Sequence, residues 1–72
     1  MTREEILKII RTECDRFNYS NGRKIAAAVK RNIISNPNIK YCVTSFKQSE
    51  NKLNTGVCFK DNTKIVITTY IK

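Results

Sequence analysis

The residues able to do chemistry in this chain are three cysteines, a few carboxylates and a long stretch of unopposed cations; histidine is missing altogether. Without an imidazole there is no Ser-His-Asp relay, no histidine general base and no His-ligated metal. Cys14, Cys42 and Cys58 lie too far apart for a CxxC metal or redox pair, and their odd number leaves at least one thiol unpaired. They read as reduced, buried core fillers of a cytosolic or nuclear protein. With nothing to activate a thiolate, none of them is expected to act as a nucleophile. Among the carboxylates, Glu5 is expected in a helix cap, while Glu13 and Asp15 are within reach of Arg11 or Arg16 on a helix surface. No Gly-rich cofactor loop is present. The expectation is therefore a non-enzyme with no catalytic, cofactor-binding or metal residues.

Charge offers a different chemistry. Fourteen Lys and Arg stand against 6 Asp and Glu, a net charge of +8, and the pI is about 9.8. From Arg16 to Lys47 the ionisable side chains include Arg23, Lys24, Lys30, Arg31 and Lys40 and no carboxylate at all. Arg23, Lys24, Lys30 and Arg31 fall at helical spacing and are able to follow a nucleic-acid backbone, as in a winged-helix-like or small RNA-binding module. No GXXG clamp or RNP-type aromatic pair accompanies them. A solvated helix face and a docking site for an acidic protein segment are the other readings, and the richness in Lys, Asn and Ile also fits a compositional bias.

The elements that position these residues follow from periodicity. Seventy-two residues allow one compact domain, residues 1–72. Apolar residues at Ile6, Leu7, Ile9, Ile10, Cys14 and Phe17 predict an amphipathic helix over about 2–17. Thr2 and Glu5 form a T-x-x-E capping box at its start. Asn18 to Gly22 is a turn by composition. A second helix over about 23–34 sets Ile25, Ala26, Val29 and Ile33 against the four cations, and stops before Pro37. The two helices are expected to form an antiparallel pair. Beyond Pro37 the β-branched and aromatic residues predict strands over about 39–47, 53–60 and 63–71, with a hairpin turn at Asp61-Asn62. No secretory signal and no apolar run long enough to span a membrane is visible, so a soluble protein is expected.

Alternation along the strands places Ile39, Tyr41 and Val43 on one face of the first and Cys42, Thr44 and Phe46 on the other. Leu53, Thr55, Val57 and Phe59 oppose Cys58 on the second, and Ile65, Ile67 and Ile71 oppose Val66 and Tyr70 on the third. The fold class is thus α+β, two N-terminal helices packed on a three-stranded antiparallel sheet. Helices on one side leave apolar residues wet on the other. Such a patch points to a dimer or a partner, while scattered surface Val and Tyr residues are the plainer reading.

The stretch Ile39 to Asp61, IKYCVTSFKQSENKLNTGVCFKD, resembles the Tctex-type dynein light chains. The resemblance lies in the run Lys40-Tyr41-Cys42-Val43-Thr44, the polar loop after it, Leu53-Asn54-Thr55, and Cys58-Phe59-Lys60-Asp61. The order of two helices before the strands is similar too. This chain is shorter than those light chains and lacks one of their strands. The segment Lys24 to Val43 also resembles the hub-type dynein light chains, the second choice. The Tctex-type resemblance implies a non-catalytic adaptor of a microtubule motor, cytoplasmic and cytoskeleton-associated. It implies a homodimer in which the strand after the polar loop is exchanged, with the dynein intermediate chain or another peptide bound by strand addition. On this sequence Leu53, Thr55, Val57 and Phe59 would line that junction; the plainer reading of each is core packing. A small basic nucleic-acid-binding protein using Arg23, Lys24, Lys30 and Arg31 is the alternative function.

Overall fold

A computed structural model describes residues 1–71. Two helices, α1 (Arg3–Arg16) and α2 (Gly22–Ile34), precede three strands, β1 (Ile39–Lys47), β2 (Lys52–Phe59) and β3 (Lys64–Tyr70). The strands form one antiparallel sheet in the order β1-β2-β3. This is the α+β arrangement that the periodicity predicts.

Local chemistry sets the helix ends. Thr2 Oγ1 accepts from the Glu5 N–H at 3.2 Å, and the Thr2 N–H donates to Glu5 Oε1 at 2.9 Å. This capping box satisfies two backbone donors that the first turn of α1 would otherwise leave open. After α1 the chain turns through Asn18, Tyr19 and Asn21, all with φ between 52° and 57°. Asn21 caps α2 by accepting from the Lys24 N–H at 3.3 Å. Asn51 and Asn62 take the left-handed positions of the two strand turns, and neither glycine has a positive φ. Apart from Tyr19, asparagine supplies the left-handed residues among those described, because its short polar side chain tolerates such angles. The glycines supply space instead.

One core joins both helices to one face of the sheet. Ile6, Ile10 and Cys14 of α1 and Ile25, Val29 and Ile33 of α2 meet Cys42, Leu53, Val57 and Ile67. Full burial of each large aliphatic side chain contributes about 1.5–3 kcal/mol. Leu7, Ile9 and Phe17 lie half-buried at its rim.

Two sequence expectations change. Ile39 does not share a face with Tyr41 and Val43. A register irregularity between Ile39 and Tyr41 shifts the pairing by one residue, so Ile39 opposes Phe59 and enters the core. Glu13, expected on the surface, is only 4% exposed. Its carboxylate accepts from Asn32 Nδ2 at 2.9 Å and from Arg16 at 3.4 Å, and so ties α1 to α2.

Candidate functional site

The sheet has two faces of opposite character. In register, the outer face is built of the rows Tyr41–Cys58–Lys64, Val43–Gly56–Val66, Ser45–Asn54–Thr68 and Lys47–Lys52–Tyr70. Tyr41 is 45% exposed, Val43 58%, Val66 68% and Tyr70 69%. Gly56 sits between the two valines, and a Cβ there would meet only the Val43 carbonyl, at 3.8 Å. The missing side chain leaves a shallow groove lined by Tyr41, Val43, Gly56, Lys64 and Val66. Thr68 Oγ1 and Asn54 Oδ1 lie 2.8 Å apart across the next row. An apolar centre with lysines around it is the composition of an association surface.

The strand edges carry further binding capacity. The Phe59 N–H donates to the Thr63 carbonyl at 2.8 Å, and the Ile71 N–H to the Asn51 carbonyl at 2.7 Å. In an antiparallel pair successive residues direct both backbone groups to alternate sides. These two bonds therefore assign Ile65, Ile67 and Thr69 to β2, and leave Lys64, Val66, Thr68 and Tyr70 with N–H and C=O pointing away from the sheet. By the same alternation Cys42, Thr44 and Phe46 point outward from β1. Among the described residues no backbone group pairs with either row. The two edges differ in their cover. Helix α2 packs on β1, where Thr44 Oγ1 donates to the Ala26 carbonyl at 3.0 Å. Helix contacts with β3 are slighter.

The candidate strand residues of β2 occupy a different place from these edges. Leu53 and Thr55 are 0% exposed, Val57 is 2% and Phe59 9%, all on the helix-facing side. In the single chain β2 is the middle strand, paired with β1 and β3 along its length. The connection ahead of it is compact: Gln48–Glu50 forms one helical turn, and Glu50 pairs with Lys47 at 2.6 Å and Lys52 at 3.6 Å. The hydroxyl of Thr55 is buried without a hydrogen-bond partner.

Arg23, Lys24, Lys30 and Arg31 are all exposed on α2, together with Ala27 and Ile34. Among the described residues no carboxylate lies within 4.0 Å of any of the four, whereas Arg16, Lys47 and Lys52 are ion-paired. The four charges are thus free to meet an anionic partner.

All three thiols are reduced and buried. Desolvation pushes Cys14 up from the ordinary thiol range, with Asp15 and Glu13 adding to the shift, and desolvation likewise raises Cys42. Among the described residues no three Cys, Asp or Glu side chains gather into a metal-binding group, and no helix is long and apolar enough to cross a membrane.

No family model matches this chain, and no curated protein or solved structure matches it either. Strand alternation sorted Tyr41 with Val43 and Val66 with Tyr70 without deciding which face is outer, and helical spacing grouped the four cations. Sequence reasoning missed the notch at Gly56 and the open edge of β3, although two short turns flanking the second strand are the signal that makes it central.

Proposed function

We propose that this chain is a non-catalytic protein-binding module that dimerises and takes partner segments through the open side of its sheet. The observation that carries this reading is the outer face, where Tyr41, Val43 and Val66 line the notch at Gly56 and Tyr70 stands exposed two rows away, beside unpaired strand edges. An added strand gains affinity from main-chain hydrogen bonds, and selectivity from pockets for alternate side chains. The groove over Gly56 is such a pocket. Burying exposed apolar area contributes about 25 cal/mol per Å² before the losses of association are subtracted. The resemblance to Tctex-type light chains supports the same class of function, a dimeric cytoplasmic adaptor of a microtubule motor. With β2 held between its neighbours, edge pairing reaches a dimer without withdrawing a strand from the core.

Sedimentation velocity at micromolar concentration tests the reading. Reversible self-association is the expected result. A strict monomer at every concentration contradicts it.

A second reading rests on one observation, the four unpaired cations Arg23, Lys24, Lys30 and Arg31 on α2. Contacts with a phosphate backbone would release counterions, so affinity would fall steeply with salt. Titrating duplex DNA and single-stranded RNA at several salt concentrations separates the two. Tight binding that weakens in the double variant Lys30→Glu and Arg31→Glu favours nucleic acid.

A further inference from the structure

We infer that a second copy of this chain pairs along the outer edge of β3, antiparallel to it, about a two-fold axis passing at Ile67. The inference rests on the association reading above and names its interface.

The edge itself is unprotected. Natural edge strands are blunted by proline, by bulges, by inward charges or by a covering element. The strand KIVITTY holds no proline or glycine, and its only charge, Lys64, stands at its end. Its register with β2 runs without interruption from Lys64 to Tyr70. The opposite edge is less open, because β1 carries the irregularity near Ile39 and lies under α2.

The pairing is self-complementary in one register. Lys64, Val66, Thr68 and Tyr70 are the residues whose backbone groups face outward. Set antiparallel to itself with Lys64 opposite Tyr70 of the second copy, β3 places Val66 opposite Thr68, and every outward residue finds a hydrogen-bonded partner. A slip of two residues in either direction strands one of the four on each copy. A slip of one opposes residues of different faces. The favoured register also sets the Lys64 ammonium beside a tyrosine ring, where a cation is attracted, instead of beside another lysine. All four side chains lie on the outer face, so pairing joins the outer faces of the two copies side by side, with the helices behind them.

Two chains of charge +8 repel one another. Salt screens that repulsion over about 10 Å at 0.1 M, so this dimer strengthens with salt, opposite to nucleic-acid binding.

Cysteine pairing reads the register directly. Opposed residues of a hydrogen-bonded pair have Cα atoms about 5.5 Å apart, inside the span of about 4.4–6.8 Å that a disulfide bridges. The variant Val66→Cys mixed with Thr68→Cys is expected to form a disulfide-linked dimer under mild oxidation, whereas either variant alone forms none; the native thiols are buried and do not interfere. Val66→Pro removes an N–H that β2 does not use, and is expected to weaken dimerisation at least about tenfold. Thr12→Ser, on the exposed side of α1 and away from the sheet, is expected to leave the dimer intact. The cysteine pair keeps the test independent of how proline is tolerated. A dimer that survives Val66→Pro and gives no mixed disulfide overturns the β3 interface and leaves the association reading standing. A wild-type chain that never dimerises overturns both.

Discussion

The ring of Phe46, at the end of β1, rests directly on the Cα of Gly22, the first residue of α2. A Cβ at Gly22 would overlap Phe46 Cε1 and Cζ, far inside contact distance. This close approach fixes where α2 begins relative to the sheet. It also explains a glycine whose φ is ordinary. Gly22→Ala is expected to destabilise the fold by about 1–3 kcal/mol, the usual effect of overpacking. Replacing Phe46 by Leu in the same chain makes room and recovers part of the loss. Urea denaturation of the single and double variants measures both effects; a Gly22→Ala chain as stable as wild type rules out the contact.

Thr55 and Thr44 oppose each other on the helix-facing side of the sheet and behave differently. The Thr44 hydroxyl reaches the Ala26 carbonyl, while that of Thr55 is fully buried and unpartnered. Thr55→Val keeps the shape and removes an unsatisfied group, so it is expected to stabilise by about 1 kcal/mol. Thr44→Val is expected to destabilise by a similar amount. Equal losses at both positions would mean that Thr55 has a partner.

Acid is expected to weaken the fold through three exposed carboxylates. Glu5 is held below its ordinary 4.5 by its hydrogen bonds to Thr2, and Glu50 by Lys47 and then Lys52. Asp61 is held below 3.8 by Thr63. A group depressed in the folded state stabilises it above the unfolded pKa, and that contribution is lost as pH falls through the folded one. The melting temperature should hold between about pH 7 and pH 5 and then decline. The double variant Glu5→Ala and Glu50→Ala should show a shallower decline; an unchanged slope would disprove these pairings.

The thiols are expected to resist alkylation in the native state. Burial holds Cys14 and Cys42 in the protonated, unreactive form, and Cys58 is 1% exposed. Mass spectrometry after iodoacetamide at neutral pH should show no label without denaturant and three labels with it. Fast labelling of the native chain would contradict the buried placement.

What was legible in the residues is what depends on near neighbours. Thr2 and Glu5 mark the start of α1 because the cap is closed within one turn. The helix period groups Ile25, Val29 and Ile33 on one side of α2, and the strand period pairs Tyr41 with Val43 and Val66 with Tyr70, but alternation does not say which side of the sheet faces out. Arg23, Lys24, Lys30 and Arg31 were legible as an exposed cationic group from the helix period. Ile39 was not, since its face is decided by the irregular pairing with Phe59. Nor was the burial of Glu13, which depends on Asn32 arriving from the other helix. Reading Leu53, Thr55, Val57 and Phe59 as partner-lining residues located them on one face. In the single chain, that face is the one the helices cover.

Sedimentation equilibrium of the unmodified chain, over micromolar concentrations and at low and high salt, tests the central claim most directly. The expected mass is twice the 8.3 kDa of one chain, with a dissociation constant that falls as salt is added. A mass of one chain under all conditions would contradict association through the open sheet.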